Sequence, residues 1–452
     1  MDRHTFLGES LGNPLNMNFF VVGAGASGMF AAITAARQVS RFGATVHVLE
    51  ATRKPMKKIL LSGGGRCNVL HRPLPTPRDL TANYPRGHKE LIGPFTTKFT
   101  QQDTYDWFEE IGVPLKVEED GRCFPITDSS ETVANALRTE AEKLGVDIRL
   151  GCKVTKVMPM KDREGNGWHL HVRQKNDPQE TILAASHVML ATGSSLIGHK
   201  LATDLDLHVT PLMPSLFSFR LQSGHLLEGL QGVTLPDVEL GLLCCNQKGK
   251  KTKITHKQRG PLLVTHRGLS GPAALKLSSF AAKQLNDTGY TGALTLNCLP
   301  AHVTQDMVRD ELHAFAKEKK GLVTGGKHSL YPMHSYIPRR VWQAYVCSVV
   351  GHDRVRWKEM SKHHVAQLCH VLFNARLAFV GKDTNKEEFV TAGGVDLKDL
   401  HLQTMETKRW KHLYVGGELL NVDGVTGGFN FQSCWTTGHI VGQAVSASIS
   451  KR

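Results

Sequence analysis

The stretch from Phe19 to Glu50 constrains the fold of this chain more than any other part of the sequence. A short apolar run leads into Gly23-Ala24-Gly25-Ala26-Ser27-Gly28, an alanine-rich stretch of good helix formers follows, and a second β-rich run ends on Glu50. This succession of strand, tight turn, helix, strand and acid is typical of a Rossmann unit, in which glycines let a pyrophosphate approach the backbone at a helix N-terminus. The stretch therefore predicts an α/β fold that binds a dinucleotide.

The acid at the end of this stretch narrows the choice of dinucleotide. Glu50 stands 22 residues after Gly28 and can accept a hydrogen bond from a ribose 2′-hydroxyl, whereas its charge would repel the 2′-phosphate of NADP. A glycine turn of this kind also occurs in α/β proteins that bind no ligand, but the flanking strands and helix favour binding. Because the sequence contains one such fingerprint and not two, we expect FAD to fill it and any NAD(P)H to visit only transiently.

A second glycine-dense segment, Ser62 to Asn68, follows the apolar run Ile59 to Leu61. Three consecutive glycines cost conformational entropy and supply no packing, so they are expected where backbone passes close to a ligand rather than in a flexible surface loop. Arg66 brings a positive charge, and the polar ends of the segment can hydrogen-bond. The expected cofactor contacts here are Lys58, Ser62, Gly63, Gly64, Gly65, Arg66, Cys67 and Asn68.

These motifs resemble those of the bacterial FAD-dependent oxidoreductases of the aminoacetone oxidase family, which includes bile-acid-reductase-like members. The resemblance begins with GAGASG and KKILLSGGGRCN, continues through Gly121 to Pro125 and His266 to Pro272, and is strongest in Thr391 to Asp396 and in LYVGGELLNVDGVTGGFN, Leu413 to Asn430. It departs where the family pattern continues CN-x-TN, because this chain carries His71 in place of the second asparagine. The resemblance implies a non-covalent FAD and a Rossmann domain interrupted by an insert.

The C-terminal segment returns to cofactor chemistry. A short buried strand, Leu413 to Val415, ends in glycines, and a helix is predicted over Ser433 to Ser448. By the same resemblance Glu418 bonds the ribityl hydroxyls and Val154 contacts the adenine through its backbone, while the helix N-terminus can stabilise negative charge on the flavin pyrimidine. The remaining expected contacts are Ala191, Thr192, Gly193, Gly417, Glu418, Asp423, Gly427, Gly428, Phe429, Asn430 and Phe431.

The sequence pattern changes twice along the chain and divides it into three segments. Residues 1–199 and 385–452 carry the glycine-rich motifs and are expected to form one Rossmann-type FAD-binding domain. Residues 200–384 have short β-like runs and then helical runs at 270–285, 302–319, 338–350 and 361–375. This middle segment predicts an inserted β-barrel-like and helical domain, which we expect to lie over the flavin and supply the substrate pocket.

Local patterns predict further details of the first domain. Asp103 is expected to cap one helix, and Asp128 to cap another together with Glu131 in a capping box. Although more than 340 residues separate them, the segments Ser62 to Asn68 and Gly417 to Phe431 are expected to meet around one flavin. Strands that form a meander are predicted at 147–150, 154–158, 168–172 and 181–190.

The charge of the chain leaves its partner open. Net charge is +14, and six basic residues lie between Lys248 and Arg259 without an acid among them. Such a surface could attract RNA, an acidic membrane or an anionic substrate. A solvated hairpin is the reading that we favour, because the segment lacks the aromatic residues that single-strand binders interleave with basic ones.

Other bulk features limit the location and the chemistry. The chain lacks an uninterrupted apolar window of about 18 residues, so no membrane span is expected, and Met1 to Asn18 is too polar for a signal peptide. Nine cysteines, an odd number without a CxxC, suit a reducing compartment and argue against a disulfide framework or a zinc site. We therefore expect a cytoplasmic protein without a bound metal.

These patterns predict an FAD-dependent oxidoreductase that transfers hydride or electrons between the flavin and a small organic substrate, either as an oxidase or as an NAD(P)H-linked ene-type reductase. A flavin-dependent RNA-modifying enzyme and a flavin-bound regulator without turnover remain as alternatives. Arg66 could favour a thiolate at Cys67, but a small residue packed under the flavin is the reading that we favour for Cys67. No catalytic residue is assigned.

Overall fold

The computed structural model describes residues 17–160, 167–174, 179–245, 252–318, 331–352, 355–383 and 390–451. The chain divides into two compact units, the first formed by Met1–Leu212 with Thr391–Arg452 and the second by Met213–Val390. The strands are β1 Asn18–Val22, β2 Thr45–Glu50, β3 Leu70–His71, β4 Leu115–Val117, β5 Arg122–Pro125, β6 Asp147–Leu150, β7 Cys152–Pro159, β8 Trp168–Gln174, β9 Glu180–Ala185, β10 His187–Leu190, β11 Val209–Ser215, β12 Ser218–Leu221, β13 Thr234–Cys245, β14 Thr252–Val264, β15 Gly268–Ser270, β16 Gly292–Asn297, β17 Ala375–Asp383, β18 Val390–Val395, β19 Leu400–His401, β20 Glu406–Thr407 and β21 Leu413–Val415. The helices are α1 Ala26–Val39, α2 Lys57–Gly65, α3 Pro77–Thr81, α4 Ile92–Thr97, α5 Gln101–Glu110, α6 Ser130–Lys143, α7 Leu196–Asp204, α8 Pro272–Phe280, α9 Ala282–Asp287, α10 Gln305–Glu318, α11 Arg339–Val350, α12 Lys362–Asn374 and α13 Phe429–Ile449.

A seven-stranded sheet with the order β19-β20-β21-β10-β1-β2-β6 forms the centre of the first unit. The strands from β21 to β6 pair in parallel, and the short strands β19 and β20 add an antiparallel edge. All four residues of β10 and all three of β21 are buried, which fits a parallel sheet covered on both faces. In such sheets ligands bind beyond the carboxyl ends of the strands, where β1, β2, β10 and β21 each lead into a predicted cofactor segment.

Helix α13 packs along α1 through small residues. A Cβ at Gly438 would lie 2.6 Å from the carbonyl oxygen of Ser27, and a Cβ at Gly442 would lie 2.5 Å from Thr34 Cβ. Glycines four residues apart thus let the two helix backbones approach closely. The helix begins at Phe429, four residues before the predicted start, so its N-terminus lies directly behind Gly427 and Gly428.

The first unit also contains two smaller three-stranded sheets. One has the order β3-β5-β4, and the other, β7-β8-β9, is the predicted meander without its first strand. The strand predicted at 147–150 is β6, which pairs in parallel with β2 in the central sheet. The single strand predicted for residues 181–190 is wrong, because Ser186 separates β9 in the meander from β10 in the central sheet. The chain passes from the first unit to the second along β11 and returns along β18, and these strands pair in a two-stranded sheet.

The second unit contains a closed barrel with the order β12-β15-β14-β13-β16-β17. Its inward residues, among them Phe219, Leu240 and Leu294, are fully buried and join one apolar core with residues of the helices α8 to α12, such as Trp342. The observed helices agree with the four helical runs predicted for this part of the chain, the first of them divided into α8 and α9. The predicted fold class, a Rossmann-type α/β domain with an inserted β-barrel-like and helical domain, is confirmed.

Two predicted helix caps are wrong. Helix α5 is capped by Thr100, whose side chain accepts from Asp103 N, so Asp103 is the third residue of a capping box and not the cap itself. Helix α6 begins after Ser129, and Asp128 adopts a left-handed φ of 51° with its carboxylate bound to Arg66 and Lys116. The Asp128 carboxylate therefore links segments that are distant in the sequence, and local sequence spacing cannot predict such a contact.

Candidate cofactor site

The turn between β1 and α1 has the geometry that a pyrophosphate requires. Gly23 N donates to Leu49 O at 2.8 Å, and a Cβ at Gly23 would lie 2.5 Å from the carbonyl oxygen of Ala191. A Cβ at Gly28 would lie 2.0 Å from Gly23 O, so this glycine permits the close packing of helix on turn. Gly25 faces open space, no side chain caps α1, and its first turn carries no acid. The helix N-terminus is thus open to an anion at Gly25.

Glu50 lies beside this turn at the end of β2. One carboxylate oxygen accepts from Ala24 N at 2.9 Å, and the other accepts from Thr52 N and Thr52 Oγ1 at 2.9 and 2.8 Å. These bonds hold the carboxylate at the turn and leave further lone pairs for a ribose hydroxyl. A cavity of about 380 Å³ opens next to it and is lined by Ala51, Thr52, Arg53, Gly151, Lys153, Arg173 and Gln174. Val154 follows Lys153 in the chain, and its side chain is buried.

The predicted contacts Ala191, Thr192 and Gly193 form a tight turn after β10. Ala191 N donates to Val22 O at 2.9 Å, which joins this turn to the end of β1. Gly193 has a left-handed φ of 59°, and a Cβ there would lie 3.8 Å from a carboxylate oxygen of Glu418. Thr192 Oγ1 is buried without a hydrogen-bond partner among the described residues. A buried hydroxyl of this kind is unfavourable unless a ligand or water satisfies it.

Lys58 and Glu418 form an ion pair across this turn. The ammonium group of Lys58 also donates to Ser194 Oγ at 2.9 Å. Half of the Lys58 side chain is exposed, whereas Glu418 is 18% exposed. Two predicted cofactor contacts thus bind each other here, and both can still offer polar atoms to the hydroxyls of a ribityl chain.

The glycines of the Ser62 to Asn68 segment interrupt the helical segment α2. Gly63, Gly64 and Gly65 all have positive φ values, of 58°, 68° and 86°. A Cβ at Gly63 would lie 3.0 Å from the ring of Phe124, whereas Gly64 and Gly65 face open space. The first glycine therefore serves packing, and the other two present bare backbone to solvent, as a close ligand contact requires.

Arg66 is bound by two carboxylates, and the neighbouring Cys67 is fully buried. Arg66 donates to Glu118 at 2.6 Å and to Asp128 at 2.8 Å, and its guanidinium lies 4.0 Å from the centroid of the Phe124 ring. Lys116 and Arg66 in turn hold the pKa of the Asp128 carboxyl below its usual value. Burial raises the pKa of the Cys67 thiol to about 12, which disfavours the thiolate. The structure thus gives no support to the alternative of a Cys67 thiolate, and Cys67 as a small residue packed under the flavin stays a prediction.

The two glycine-rich segments from opposite ends of the chain meet. When the Asn68 amide nitrogen faces the carbonyl oxygens of Leu70 and Cys123, its oxygen accepts from Gly428 N at 3.0 Å. A Cβ at Gly428 would lie 2.3 Å from the carbonyl carbon of Leu70, and Trp435 Nε1 donates to Val69 O at 2.9 Å. The predicted meeting of these segments is confirmed, and the flavin between them stays a prediction.

Other predicted contacts use their side chains to build the loop before α13. Asp423 is 1% exposed and forms a bidentate ion pair with Arg86. Asn430 accepts from Gly424 N and donates to Gly424 O, both at 2.8 Å. Phe431 stacks on Trp435, with ring centroids 5.6 Å apart. These side chains give the loop its shape, which leaves backbone N–H groups as the donors at the helix N-terminus.

Sequence reasoning missed three residues that shape this region. Arg86 binds Asp423, Tyr84 OH donates to Phe429 O at 2.5 Å, and the His71 ring stacks on Phe429. No motif marks them, because each has a partner that lies more than three hundred residues away. Only the departure of His71 from the family pattern could have drawn attention to that residue.

The predicted residues divide into those that leave backbone or charge open and those whose side chains are used within the chain. The turns at Gly23 to Gly28 and Ala191 to Gly193 lie at the carboxyl ends of β1 and β10, and Gly427 and Gly428 pack against β3 and Phe429. The side chains of Arg66, Asp423 and Asn430 belong to the second group, because other residues of the chain bind them. The region offers open glycine backbone, the N-termini of α1 and α13, the Glu50 carboxylate and the Thr192 hydroxyl, which has no partner among the described residues. These groups fit an extended dinucleotide such as FAD.

The described parts of the chain contain neither a metal-binding cluster nor a membrane-spanning helix. Within them, no group of three or more His, Cys, Asp or Glu side chains could hold a metal ion. No helix there is both long enough and apolar enough to cross a membrane.

Comparison with known proteins gives consistent matches over nearly the whole chain. The family model described as HI0933-like protein Rossmann domain matches residues 17–444. The chain is 26% identical over 430 residues to a ribosomal RNA dihydrouridine synthase of Haemophilus influenzae, covering 94% of this chain and 98% of the relative. It is 29% identical over 439 residues to a protein of the same name from Escherichia coli, covering 95% and 98%. It is 25% identical over 438 residues to a 3-dehydro-bile acid delta(4,6)-reductase of Clostridium scindens, covering 94% and 98%.

Proposed function

Because the chain belongs to the HI0933-like family of Rossmann-domain proteins, we propose that it is an FAD-dependent oxidoreductase that reduces a carbon–carbon double bond conjugated to a carbonyl group. The observation that carries the cofactor in this proposal is the uncapped N-terminus of α1 at the Gly23 to Gly28 turn, which packs against Ala191 at the carboxyl ends of β1 and β10. The relatives' names support the chemistry, because dihydrouridine formation and delta(4,6) reduction both saturate a conjugated double bond.

Different residues of this chain would hold different parts of the cofactor. The N-terminus of α1 would hold the pyrophosphate at Gly25, Glu50 would hold the adenosine ribose, and the backbone near Val154 would border the adenine. Lys58 and Glu418 would bind the ribityl chain. When bound, the flavin would supply the hydride, and the N-terminus of α13 would stabilise negative charge on its pyrimidine. NAD(P)H would bind only transiently, to reduce the flavin.

The substrate that we propose first is a small organic molecule, bound by a pocket that the inserted domain, residues 200–384, supplies. An oxidase of the aminoacetone type is the competing small-molecule reaction. The two differ in what reoxidises the reduced protein, an unsaturated carbonyl compound or oxygen.

A second candidate substrate is a uracil base in RNA, and one observation favours it. The second unit, Met213–Val390, contains 24 Lys and Arg against 13 Asp and Glu, so it carries +11 of the net charge of +14. The described end of the basic hairpin does not account for the charge excess of the second unit. Two of its cations are neutralised by partners, because Lys257 pairs with Glu239 and Arg259 pairs with Asp237. Lys248, Lys250 and Lys251 lie outside the described residues.

Anaerobic reduction separates these possibilities. The purified protein, with one FAD per chain, is reduced by NADH, NADPH or dithionite and then mixed with oxygen, with a panel of conjugated enones and dienones, or with RNA. We expect rapid flavin reoxidation by a conjugated carbonyl compound or, for RNA, a mass increase of about 2 Da at a uridine. The control is Gly25→Val, whose side chain fills the open space before α1 and should abolish flavin binding. If oxygen alone reoxidises the flavin, the reductase proposal is overturned. If neither oxygen, the enones and dienones nor RNA reoxidises it, the result favours a flavin-bound regulator without turnover.

A further inference from the structure

Arg66 is a predicted cofactor contact whose charge is neutralised within the chain. Its guanidinium donates to Glu118 at 2.6 Å and to Asp128 at 2.8 Å, and Nη2 also lies 2.7 Å from the Asp128 carboxylate. Two carboxylates therefore hold one guanidinium in a fixed orientation, which the planar geometry of its donors permits. We name Arg66, Glu118, Asp128 and the ring of Phe124 the Arg66 clamp.

The charges around Arg66 cancel. Three cations and three carboxylates form one connected set of ion pairs, namely Arg66, Lys116, Arg122, Glu118, Asp120 and Asp128. Their formal charges sum to zero, so the set offers no net positive charge to a ligand. Ion pairs at a partly exposed surface stabilise a protein little by themselves. The geometry that the set imposes on the chain is therefore its main effect.

The ring of Phe124 connects these ion pairs to the glycine turn. Phe124 is 1% exposed, and the Arg66 guanidinium lies 4.0 Å from its ring centroid. A Cβ at Gly63 would lie 3.0 Å from Phe124 Cε1. Two positions only three residues apart in the chain thus pack against the same buried ring. The ring therefore limits the conformations of the two glycines between them.

The glycine turn depends on such support, because its own residues supply little. Gly63, Gly64 and Gly65 have φ values of 58°, 68° and 86°, and a hydrogen bond from Cys67 N to Ser62 O at 3.0 Å closes the turn. A Cβ at Gly64 or Gly65 would meet no atom within 4 Å. Glycine loses more conformational freedom on ordering than any other residue. The two open glycines are therefore held from the ends of the turn and not by packing of their own.

One hairpin supplies every partner of Arg66 in the clamp. In the pairing of β5 with β4, Phe124 stands opposite Lys116, and Glu118 N donates to Arg122 O at 2.8 Å. Asp128 follows the end of β5 by three residues. The segment Gly121 to Pro125, which carries part of the family resemblance but none of the proposed cofactor contacts, thus shapes the glycine turn.

We propose that Arg66 is a positioning residue, whose clamp fixes the turn from Gly63 to Gly65 in the conformation in which its bare backbone can lie against the flavin. The guanidinium acts through the turn and does not itself contact the cofactor. This rests on the proposed function for the identity of the ligand, FAD, and goes beyond it in separating Arg66 from the residues that touch the ligand. A turn that is ordered before binding loses less conformational entropy when FAD binds, which raises the affinity.

The decisive variant removes both carboxylates and leaves the arginine in place. It combines Glu118→Gln with Asp128→Asn, and asparagine tolerates the left-handed φ of 51° at position 128. If the clamp orders the turn, this variant should bind FAD about 10-fold more weakly, the effect of having to order roughly one more residue on binding. If Arg66 were instead a charged contact of the cofactor, freeing its charge would preserve or strengthen binding. An FAD dissociation constant at or below the wild-type value would overturn the proposal.

Arg66→Gln should weaken FAD binding to a similar extent. Added to the two carboxylate substitutions, it should weaken binding by less than about threefold further, because members of one contact network are not additive. In these variants the absorption spectrum of the bound flavin should move toward that of free FAD, since the backbone against the ring is no longer fixed. Full additivity of the two changes would contradict the clamp.

Arg37→Gln is the matched control. Arg37 also binds two carboxylates, Glu110 at 3.2 Å and Glu140 at 2.9 Å, and its guanidinium lies 5.4 Å from the centroid of the Trp107 ring. It belongs to the last turn of α1, away from the glycine turns. This variant should lose as much stability in urea as Arg66→Gln but keep the wild-type FAD affinity and flavin spectrum. An equal loss of FAD affinity in Arg37→Gln would show a general effect of stability and overturn the proposal.

Hydrogen exchange of the apoprotein tests the clamp without FAD. Peptides that cover residues 59–69 should exchange faster in the carboxylate variant and in Arg66→Gln than in wild type, and at the wild-type rate in Arg37→Gln. Unchanged exchange in the clamp variants would overturn the proposal. If wild-type protein binds no FAD although its turn is protected in this way, the proposed function fails while the clamp stands.

Discussion

At the scale of single residues, two carboxylates carry most of the polar recognition proposed here, and they are held in different ways. Glu50 is fixed by backbone and hydroxyl donors close to it in sequence, Ala24 and Thr52. Glu418 is held by Lys58, which lies 360 residues away. The first arrangement can be read from a motif, whereas the second exists only after the chain ends have come together.

Replacing Glu418 by alanine should weaken FAD binding without unfolding the apoprotein. We expect a loss of about 1–3 kcal/mol in binding free energy, the usual cost of removing a charged hydrogen-bond partner. Glu418→Gln should lose less, because it keeps an acceptor for ribityl hydroxyls. Isothermal titration of apoprotein with FAD measures the effect, and Glu239→Ala, which breaks the Lys257 pair in the barrel, is the control. An unchanged FAD dissociation constant for Glu418→Ala would contradict this contact.

At the scale of elements, the packing of α13 on α1 decides where both helix N-termini lie. The glycines at 438 and 442 remove side chains from the contact, and Ser27 Oγ lies 3.5 Å from Thr437 Oγ1 within it. Gly417 N also donates to Thr437 Oγ1 at 3.0 Å, so the segment that carries Glu418 is fixed to the same helix. The contact therefore sets the distance between the pyrophosphate end and the pyrimidine end of the proposed site.

Gly442→Ala should destabilise the protein although alanine has the higher helix propensity. The added Cβ would lie 2.5 Å from Thr34 Cβ and 2.8 Å from Ala31 O, so α1 and α13 must separate. We expect a loss of about 1–3 kcal/mol in the free energy of unfolding, typical of overpacking, together with weaker FAD binding. Gln443→Ala, on the exposed face of the same helix, should change stability by less than about 0.5 kcal/mol. Urea unfolding of both variants checks this, and equal stability of Gly442→Ala and wild type would refute it.

At the scale of the whole molecule, charge is divided unequally between the two units. The second unit carries a net charge of +11 and the first unit carries the remaining +3. No single sequence motif accounts for this difference. Charge of one sign concentrated on one body attracts a polyanion over a distance set by ionic strength. The boundaries and the substrate role of the insert stay proposals, and this asymmetry offers a way to test what the second unit contacts.

If RNA is a partner, its binding should depend on the cations of the second unit. We compare Lys358→Gln, Lys362→Gln and Arg376→Gln, combined in one variant, with Lys89→Gln, Lys156→Gln and Lys398→Gln, combined in the first unit. All six residues are exposed. The first set should weaken RNA binding and flatten its salt dependence by about one unit of slope per lost phosphate contact, and the second set should not. Equal effects of the two sets, measured by anisotropy between low and high salt, would exclude a second-unit surface.

The sequence by itself determined the fold class and the nucleotide end of the proposed site. The turn from Gly23 to Gly28, its flanking strands and Glu50 are local in sequence, and their spacing is set by the geometry of strand, turn and helix. The helices of the insert could also be predicted, because hydrophobic periodicity reports one buried face at a time. The same local reasoning placed two helix caps wrongly, since Asp103 and Asp128 find their partners through tertiary geometry.

Only the tertiary structure decided which polar groups are free and which are used. Arg66, Asp423 and Asn430 read in sequence as ligand contacts, yet other residues of the chain bind their side chains. His71 reads as a departure from a family pattern, yet it stacks at the N-terminus of α13 with one nitrogen unengaged. A side chain's hydrogen-bond partners are fixed by distances between segments hundreds of residues apart, and a linear sequence does not contain those distances.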